Sequence, residues 1–448
     1  MVDNRFFRTA GVKEFISQRA NRILSTLIIL SSAFLLYQYR EGGLKDAGVT
    51  DTSIRDVGGY ISTGIRILDK VNPYLPDGEL WGGARWGSFG TVPVALLSEL
   101  VPRTLQVVFF QTLGLLGLHF FMRTILRKLP KIQINSIFLL LIWSSSYREL
   151  LTTNQIIGIV LGLIALGIRS LFLTEKAQRN WLLQVLGTLS FVIALDLKPH
   201  ISGLFIVGLY IYFRRVKDFF WLIGMYVLTH AAVDIYLGRI VELDWLKIVT
   251  SLSDRADRNE LGDSVTFWPV IRNFLDFGGS FGLVSKATLG LLVVLTFWAA
   301  SKKNWQMFIV LSFFAPAFSI YFHYYDAVPL LGLVFWALLS RRKTIFSFVV
   351  LDMLVITKEA SSIRNIIFVI FVSAAVVIFS ESSISMRLRN SLFAIVGFAI
   401  WQLIYFTNSK LNLDQYELQY LVVTQALTLA YLFLSLSVKK STKLQVFA

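Results

Sequence analysis

The sequence predicts an all-α polytopic membrane protein, a single bundle of about 12 to 14 transmembrane helices. Three observations carry that prediction. Of 448 residues, 55% are hydrophobic and only 16% charged, too apolar for a soluble chain of two or three domains. Apolar runs close to spanning length recur from one end of the chain to the other. Short clusters of lysine and arginine punctuate those runs in a regular alternation, as the positive-inside rule requires of a multi-pass protein.

Taken in order, the predicted spans are 23–39, 104–122, 133–147, 154–173, 181–196, 199–213, 219–237, 281–300, 305–320, 326–339, 344–357, 366–380, 391–407 and 419–437. The first is preceded by Arg5, Arg8, Lys13, Arg19 and Arg22, and no small-residue cleavage site follows Ser25 to Tyr39, so it reads as an anchor. Later basic clusters, from Arg123/Arg127/Lys128/Lys131 to Lys439/Lys440/Lys443, all fall on the side of the basic N-terminus. That side is the cytoplasm, with both termini on it, and the cell membrane is the expected location.

The alternation requires that 87–102, GSFGTVPVALLSELVP, not cross. Pro93, Glu99, Pro102 and the glycines at its start make it a re-entrant or interfacial piece, since broken backbone at membrane depth survives only where protein covers it. Residues 40–103 then form the first extracytoplasmic loop and 238–280 the second long one, within one integral membrane domain of residues 1–448.

The net charge of +15 is accounted for by these flanking clusters, so nucleic acid is not an expected partner; the bilayer is. The chain has no cysteine, which excludes disulfides, thiolate metal sites and thiol catalysis. No Gly-rich phosphate loop follows a strand, no His/Glu cluster has ligand spacing, and no serine nucleophile motif stands out. Neither cofactor nor metal is expected.

Once oriented, the polar interruptions sort by face. The inner loops carry mainly lysine and arginine. The outer side collects the 40–86 loop, Arg148-Glu149 with Asn154-Gln155, the run Asp196-Leu197-Lys198-Pro199-His200, and His323-Tyr324-Tyr325-Asp326. Every group suited to acid–base work or to an anionic substrate is therefore expected at one face.

Asp56 precedes an amphipathic run with Ile61, Ile65 and Leu68 at helical spacing, which predicts a helix lying on the membrane with Asp56 at its start. Such a residue reads either as a cap or as a functional carboxylate. Tyr60 one turn on and the Asn72-Pro73-Tyr74 turn supply hydrogen-bonding groups that a resting helix does not need. Lys198 and His200 flank a proline at an otherwise cation-poor face and suit a phosphate, the alternative being a Lys198–Asp196 pair. Arg148 is a second outer cation. Asn154 and Gln155 read as caps or interhelical contacts, and His323 as a supporting candidate among aromatics.

In their order, Asp-Val-Gly-Gly-Tyr at 56–60, Asn-Pro-Tyr at 72–74, the Pro-containing segment at 88–102, Asn-Gln at 154–155 and Leu-Lys-Pro-His at 197–200 resemble polyprenyl-phosphate-sugar-dependent glycosyltransferases of the GT-C fold. The nearest likeness is to glycosyltransferase family 87, which includes mannosyltransferases, and it covers about the first half of the chain. The resemblance implies a GT-C-like bundle, Asp56 as catalytic base, and Lys198 near the donor phosphate. A departing phosphate needs its charge held, and His200, Arg148 and Arg85 are the further outer-face residues suited to that. The resemblance also implies a polyprenyl-phosphate sugar donor and a glycan or glycolipid acceptor. The chain departs from the family at Asn154, where a glycine is frequent, and at Gly87 to Pro93, which lacks a Tyr-Pro-Pro-like stretch. A transporter or flippase of a lipid-linked saccharide is the alternative, though such proteins place ionisable groups at the midplane and show inverted repeats, neither of which stands out here.

Overall fold

The computed structural model describes residues 4–40, 55–74, 87–174, 180–248, 281–318, 326, 328–330 and 332–333. Most of the predicted span 326–339, the four predicted spans after it, and Arg85 and His323 lie outside the described residues.

Among the described residues all regular structure is helical. The elements are α1 (Asn4–Gln38), α2 (Arg55–Leu68), α3 (Ser88–Glu99), α4 (Arg103–Ile125), α5 (Lys131–Trp143), α6 (Ser145–Thr152), α7 (Ile157–Ile168), α8 (Trp181–Leu197), α9 (Pro199–Tyr212), α10 (Val216–Leu237), α11 (Phe281–Ser301) and α12 (Trp305–Phe314). A π-helical turn, Arg169–Leu173, extends α7, and a helical segment at 242–248 follows α10. Among the described residues three stretches are long and apolar enough to cross a membrane: Gln18–Gln38, Arg103–Ile125 and Val216–Leu237. Their outer faces remain apolar, with Ile29, Phe34, Phe220, Val227 and Ile235 all exposed, a pattern that suits lipid and not water.

Packing within the bundle is close. α4 and α7 touch backbone to backbone along Gly114, Gly117, Gly158 and Gly162: a Cβ on Gly158 would stand 2.2 Å from the Gly114 carbonyl oxygen, and one on Gly117 2.3 Å from that of Gly158. Small residues at this spacing are what allow two apolar helices without a water-driven force between them to gain dispersion contact. Beside them Phe121, Phe205, Phe308 and Phe313 interlock, with Phe205 stacked on Phe308 at 5.3 Å.

Several helices end on a residue in the left-handed region that is not glycine: Lys70, Asn154, Arg214 and Lys303. In each case the next N–H reaches back to a carbonyl five residues earlier, satisfying the last turn. The end of the bundle holding Arg214 and Lys303 is basic; there Arg169 Nε donates to Thr124 Oγ1 and Arg215 donates to the Leu171 carbonyl.

The sequence-based expectation for α2 requires correction. Its apolar stripe is not left for a membrane to cover, because Val57, Tyr60, Ile61, Gly64 and Ile67 are buried in the protein. Gly64 lets α2 approach the Thr91 carbonyl of α3 more closely than any side chain would permit. The two helices form a hairpin-like pair, and α3, of 12 residues and about 18 Å, is far shorter than a hydrocarbon core.

Candidate functional site

The end of the bundle opposite the basic one gathers the polar side chains, and local chain chemistry explains how. α6 starts on Ser144, whose Oγ accepts from the Tyr147 N–H, and ends on Asn154 in the left-handed conformation. Asn154 N–H donates to the Leu151 carbonyl and Gln155 N–H to that of Leu150, a Schellman arrangement that an asparagine tolerates well. That turn aims Gln155 at α2: its Nε2 donates to Asp56 Oδ2, while the Asp56 N–H donates to the Thr153 carbonyl at 3.3 Å. Asp56 is exposed and sits in the first turn of α2, where a carboxylate also favours the helix dipole.

One turn on, the buried Tyr60 hydroxyl makes a long hydrogen bond, 3.5 Å, to the Leu197 carbonyl. Leu197 closes α8 and Pro199 opens α9. Proline forces the preceding residue out of the helical region, and Lys198 accordingly has φ −147° and ψ 71°. Ser202 Oγ caps the break through the carbonyls of Ala194 and Lys198. Lys198 is thereby fixed at the junction, 5% exposed, with Nζ 3.8 Å from Asp326 Oδ1; His200 Nε2 stands 3.3 Å from Asp326 Oδ2. Lys198 thus pairs with Asp326 and not with Asp196, the partner that proximity in sequence suggests.

Asp196 is engaged elsewhere. The N-terminus of α3 lies directly on it: Gly87 N–H donates to its carbonyl at 2.9 Å and Gly90 N–H to Oδ2 at 2.7 Å, an approach only glycine allows, since a Cβ on either would fall within 2.6 Å of Asp196. Its Oδ1 meets His230 Nε2 at 2.9 Å, and His230 Nδ1 meets Glu242 Oε1 at 2.6 Å. Ser88 Oγ donates to Glu242 Oε1 at 2.7 Å. Asn72, whose Oδ1 accepts from the Tyr74 N–H, donates to Asp244 and so ties its turn to the 242–248 segment.

The structure thus joins Asp56, Tyr60, Gln155 and the Lys198–His200 junction at one end, and puts Asn72 and Tyr74 in an adjoining layer. Arg148 lies on α6 and is buried, 7% exposed. Sequence reasoning misses His230, Glu242 and Ser88. For His230 a signal exists, an ionisable side chain inside the predicted span 219–237; Glu242 and Ser88 carry none. Among the described residues no group of acidic and histidine side chains fits a metal ion.

Fold and site together define a class: an all-helical chain, among its described residues, with helices fit to cross a membrane and an acid–base cluster at one end of the bundle. The chain matches no protein-family model, no curated protein and no solved structure.

Proposed function

We propose that the protein is a membrane glycosyltransferase of GT-C type that moves a sugar, mannose by the family resemblance, from a polyprenyl-phosphate donor to a glycan or glycolipid at the extracytoplasmic face. The observation that supports it best is the meeting of sequence-distant motifs: Asp56 receives a hydrogen bond from Gln155, and Tyr60 on the same helix reaches the carbonyl next to Lys198.

In this reading the acceptor hydroxyl loses its proton to Asp56 as its oxygen attacks the anomeric carbon. The bond from that carbon to the phosphate oxygen breaks with inversion, and polyprenyl phosphate departs. A leaving group that is already a phosphate needs cations to hold its charge, not a general acid. Lys198 supplies the positive charge and the His200 imidazole a hydrogen-bonding group beside it, both sharing themselves between the phosphate and Asp326; Arg148 and Arg85 are the further cations of the proposal.

Donor dependence tests this. Purified protein should transfer label from a polyprenyl-phosphate sugar and not from a nucleotide sugar. Lys198→Ala should raise the KM for that donor by about tenfold or more, the loss of one charge-assisted contact, with acceptor KM little changed. Equal donor KM in wild type and variant would remove Lys198 from the site, and transfer from nucleotide sugars alone would remove the donor class.

A further inference from the structure

We propose that Asp196, His230 and Glu242 form a proton-operated clasp, a buried site that holds one proton and by holding it fastens the 242–248 segment and the Asn72–Tyr74 turn to the junction of α8 and α9. The inference stands on geometry and does not depend on the transferase reading.

Both ring nitrogens of His230 face carboxylate oxygens, at 2.9 Å on one side and 2.6 Å on the other. A neutral imidazole has one N–H and one lone pair, and an ionised carboxylate only accepts, so a neutral ring satisfies one of these contacts and sets a lone pair against charge at the other. The imidazolium satisfies both. Asp196 and His230 are buried, and a mismatch there has no water to relieve it.

Every element packed round the ring contributes consistently. From α3, Ser88 Oγ donates to Glu242 and lies 3.4 Å from Nδ1. From α8, Asp196 is the carboxylate already held by the Gly90 N–H. From α10 itself, the Tyr226 ring lies 4.2 Å from the imidazole. From the turn comes Tyr74; burial, and then the charges of Glu242 and Asp196, push its hydroxyl well above the ordinary tyrosine range, so it stays neutral. Burial pushes the Glu242 carboxyl up, but hydrogen bonds from His230 and Ser88 and the His230 charge outweigh it and leave it below the ordinary carboxylate range. With a carboxylate oxygen facing each ring nitrogen, the geometry places the extra proton on His230.

The clasp spans two layers. Asp196 belongs to the helix that ends at the Lys198 break, whereas Glu242 belongs to the outer segment, which also meets the turn through Asn72–Asp244. Losing the proton at high pH breaks the joint from the histidine side. On the acid side the sign follows from Glu242: with its folded value depressed, its contribution is present at neutral pH and lost as pH falls through that value. The outer segment is thus held over a window bounded at both ends.

The chain has four histidines, so selective ¹⁵N-histidine labelling of the full-length protein in detergent, with His230→Gln assigning the signal, reads the proton directly. Wild type at about pH 7.5, where a free histidine is mostly neutral, should show both His230 ring nitrogens protonated. Glu242→Gln, which keeps shape and hydrogen-bonding capacity, should leave the ring singly protonated and speed amide exchange in 242–248 by about tenfold or more. Should Glu242→Gln perturb folding, raising the pH of wild type should release the same amides in step with the His230 signal. A singly protonated His230 in wild type, or exchange in 242–248 that does not follow its protonation, would overturn the proposal.

Discussion

Asp56→Asn should lower sugar transfer by about a thousandfold or more while the protein folds and inserts as before, because the proposed general-base role contributes about 10²–10⁴-fold and α2 carries no second carboxylate to replace it. The substitution isolates chemistry from structure. Asparagine keeps the volume, its Oδ1 accepts from Gln155 as the carboxylate does, and the backbone N–H to Thr153 is untouched. Asparagine is also a good residue at a helix start, so α2 keeps its first turn. If Asp56 only caps α2, the variant retains transfer; if it takes the acceptor proton, transfer disappears with unchanged thermal unfolding. Transfer assays on the purified variant beside its melting curve separate the two.

Gly158→Leu should prevent the bundle from forming. No rotamer relieves a Cβ that lies 2.2 Å from the Gly114 carbonyl oxygen and 2.7 Å from its Cα, since backbone, not a side chain, is the obstacle. α4 and α7 must separate, exposing their shared face and breaking the Arg169–Thr124 contact at the basic end. Overpacking costs about 1–3 kcal/mol where side chains adjust, and more is expected where helices must move apart. Gly224→Ala is the matched control: nothing lies within 4 Å of its Cβ position on the exposed face of α10, and alanine there should stabilise by about 0.5–1 kcal/mol through helix propensity. Size-exclusion profiles in detergent should show aggregate for Gly158→Leu and a single species for Gly224→Ala.

Much of the helical order is legible in the chain because long apolar runs and prolines act locally. The predicted 181–196 and 199–213 correspond to α8 and α9, and the break between them follows from Lys198-Pro199 alone. The predicted 104–122, 219–237 and 281–300 fall on α4, α10 and α11 within a few residues. What escapes a linear reading is partnership across the fold. Ile61, Ile65 and Leu68 suggest a face for a membrane, yet the buried face of α2 is shifted to Val57, Tyr60, Ile61, Gly64 and Ile67, with Gly64 directly against Thr91 and Ala95 of α3.

The site divides in the same way. Asp56, Lys198 and His200 stand out where apolar sequence is interrupted. His230 also interrupts an apolar run, but its partnership is hidden, because its partners lie 34 residues back and 12 residues on, and Ser88 is 142 residues away. Asp326 is visible only as the tail of His323-Tyr-Tyr, while its pairing with Lys198 and His200 is a tertiary fact. Asn154 reads as a cap and turns out to be the left-handed residue that directs Gln155 to Asp56.

The central claim, that the Asp56 helix and the Lys198 junction are two halves of a transferase site, is tested most directly by following the donor itself. Purified wild-type protein reconstituted in vesicles is given polyprenyl phosphate bearing a labelled sugar, together with a lipid acceptor. The account predicts that label appears on the acceptor with inverted anomeric configuration and that free polyprenyl phosphate is released one for one. A donor that crosses to the other leaflet with its sugar–phosphate bond intact would contradict it and identify a flippase.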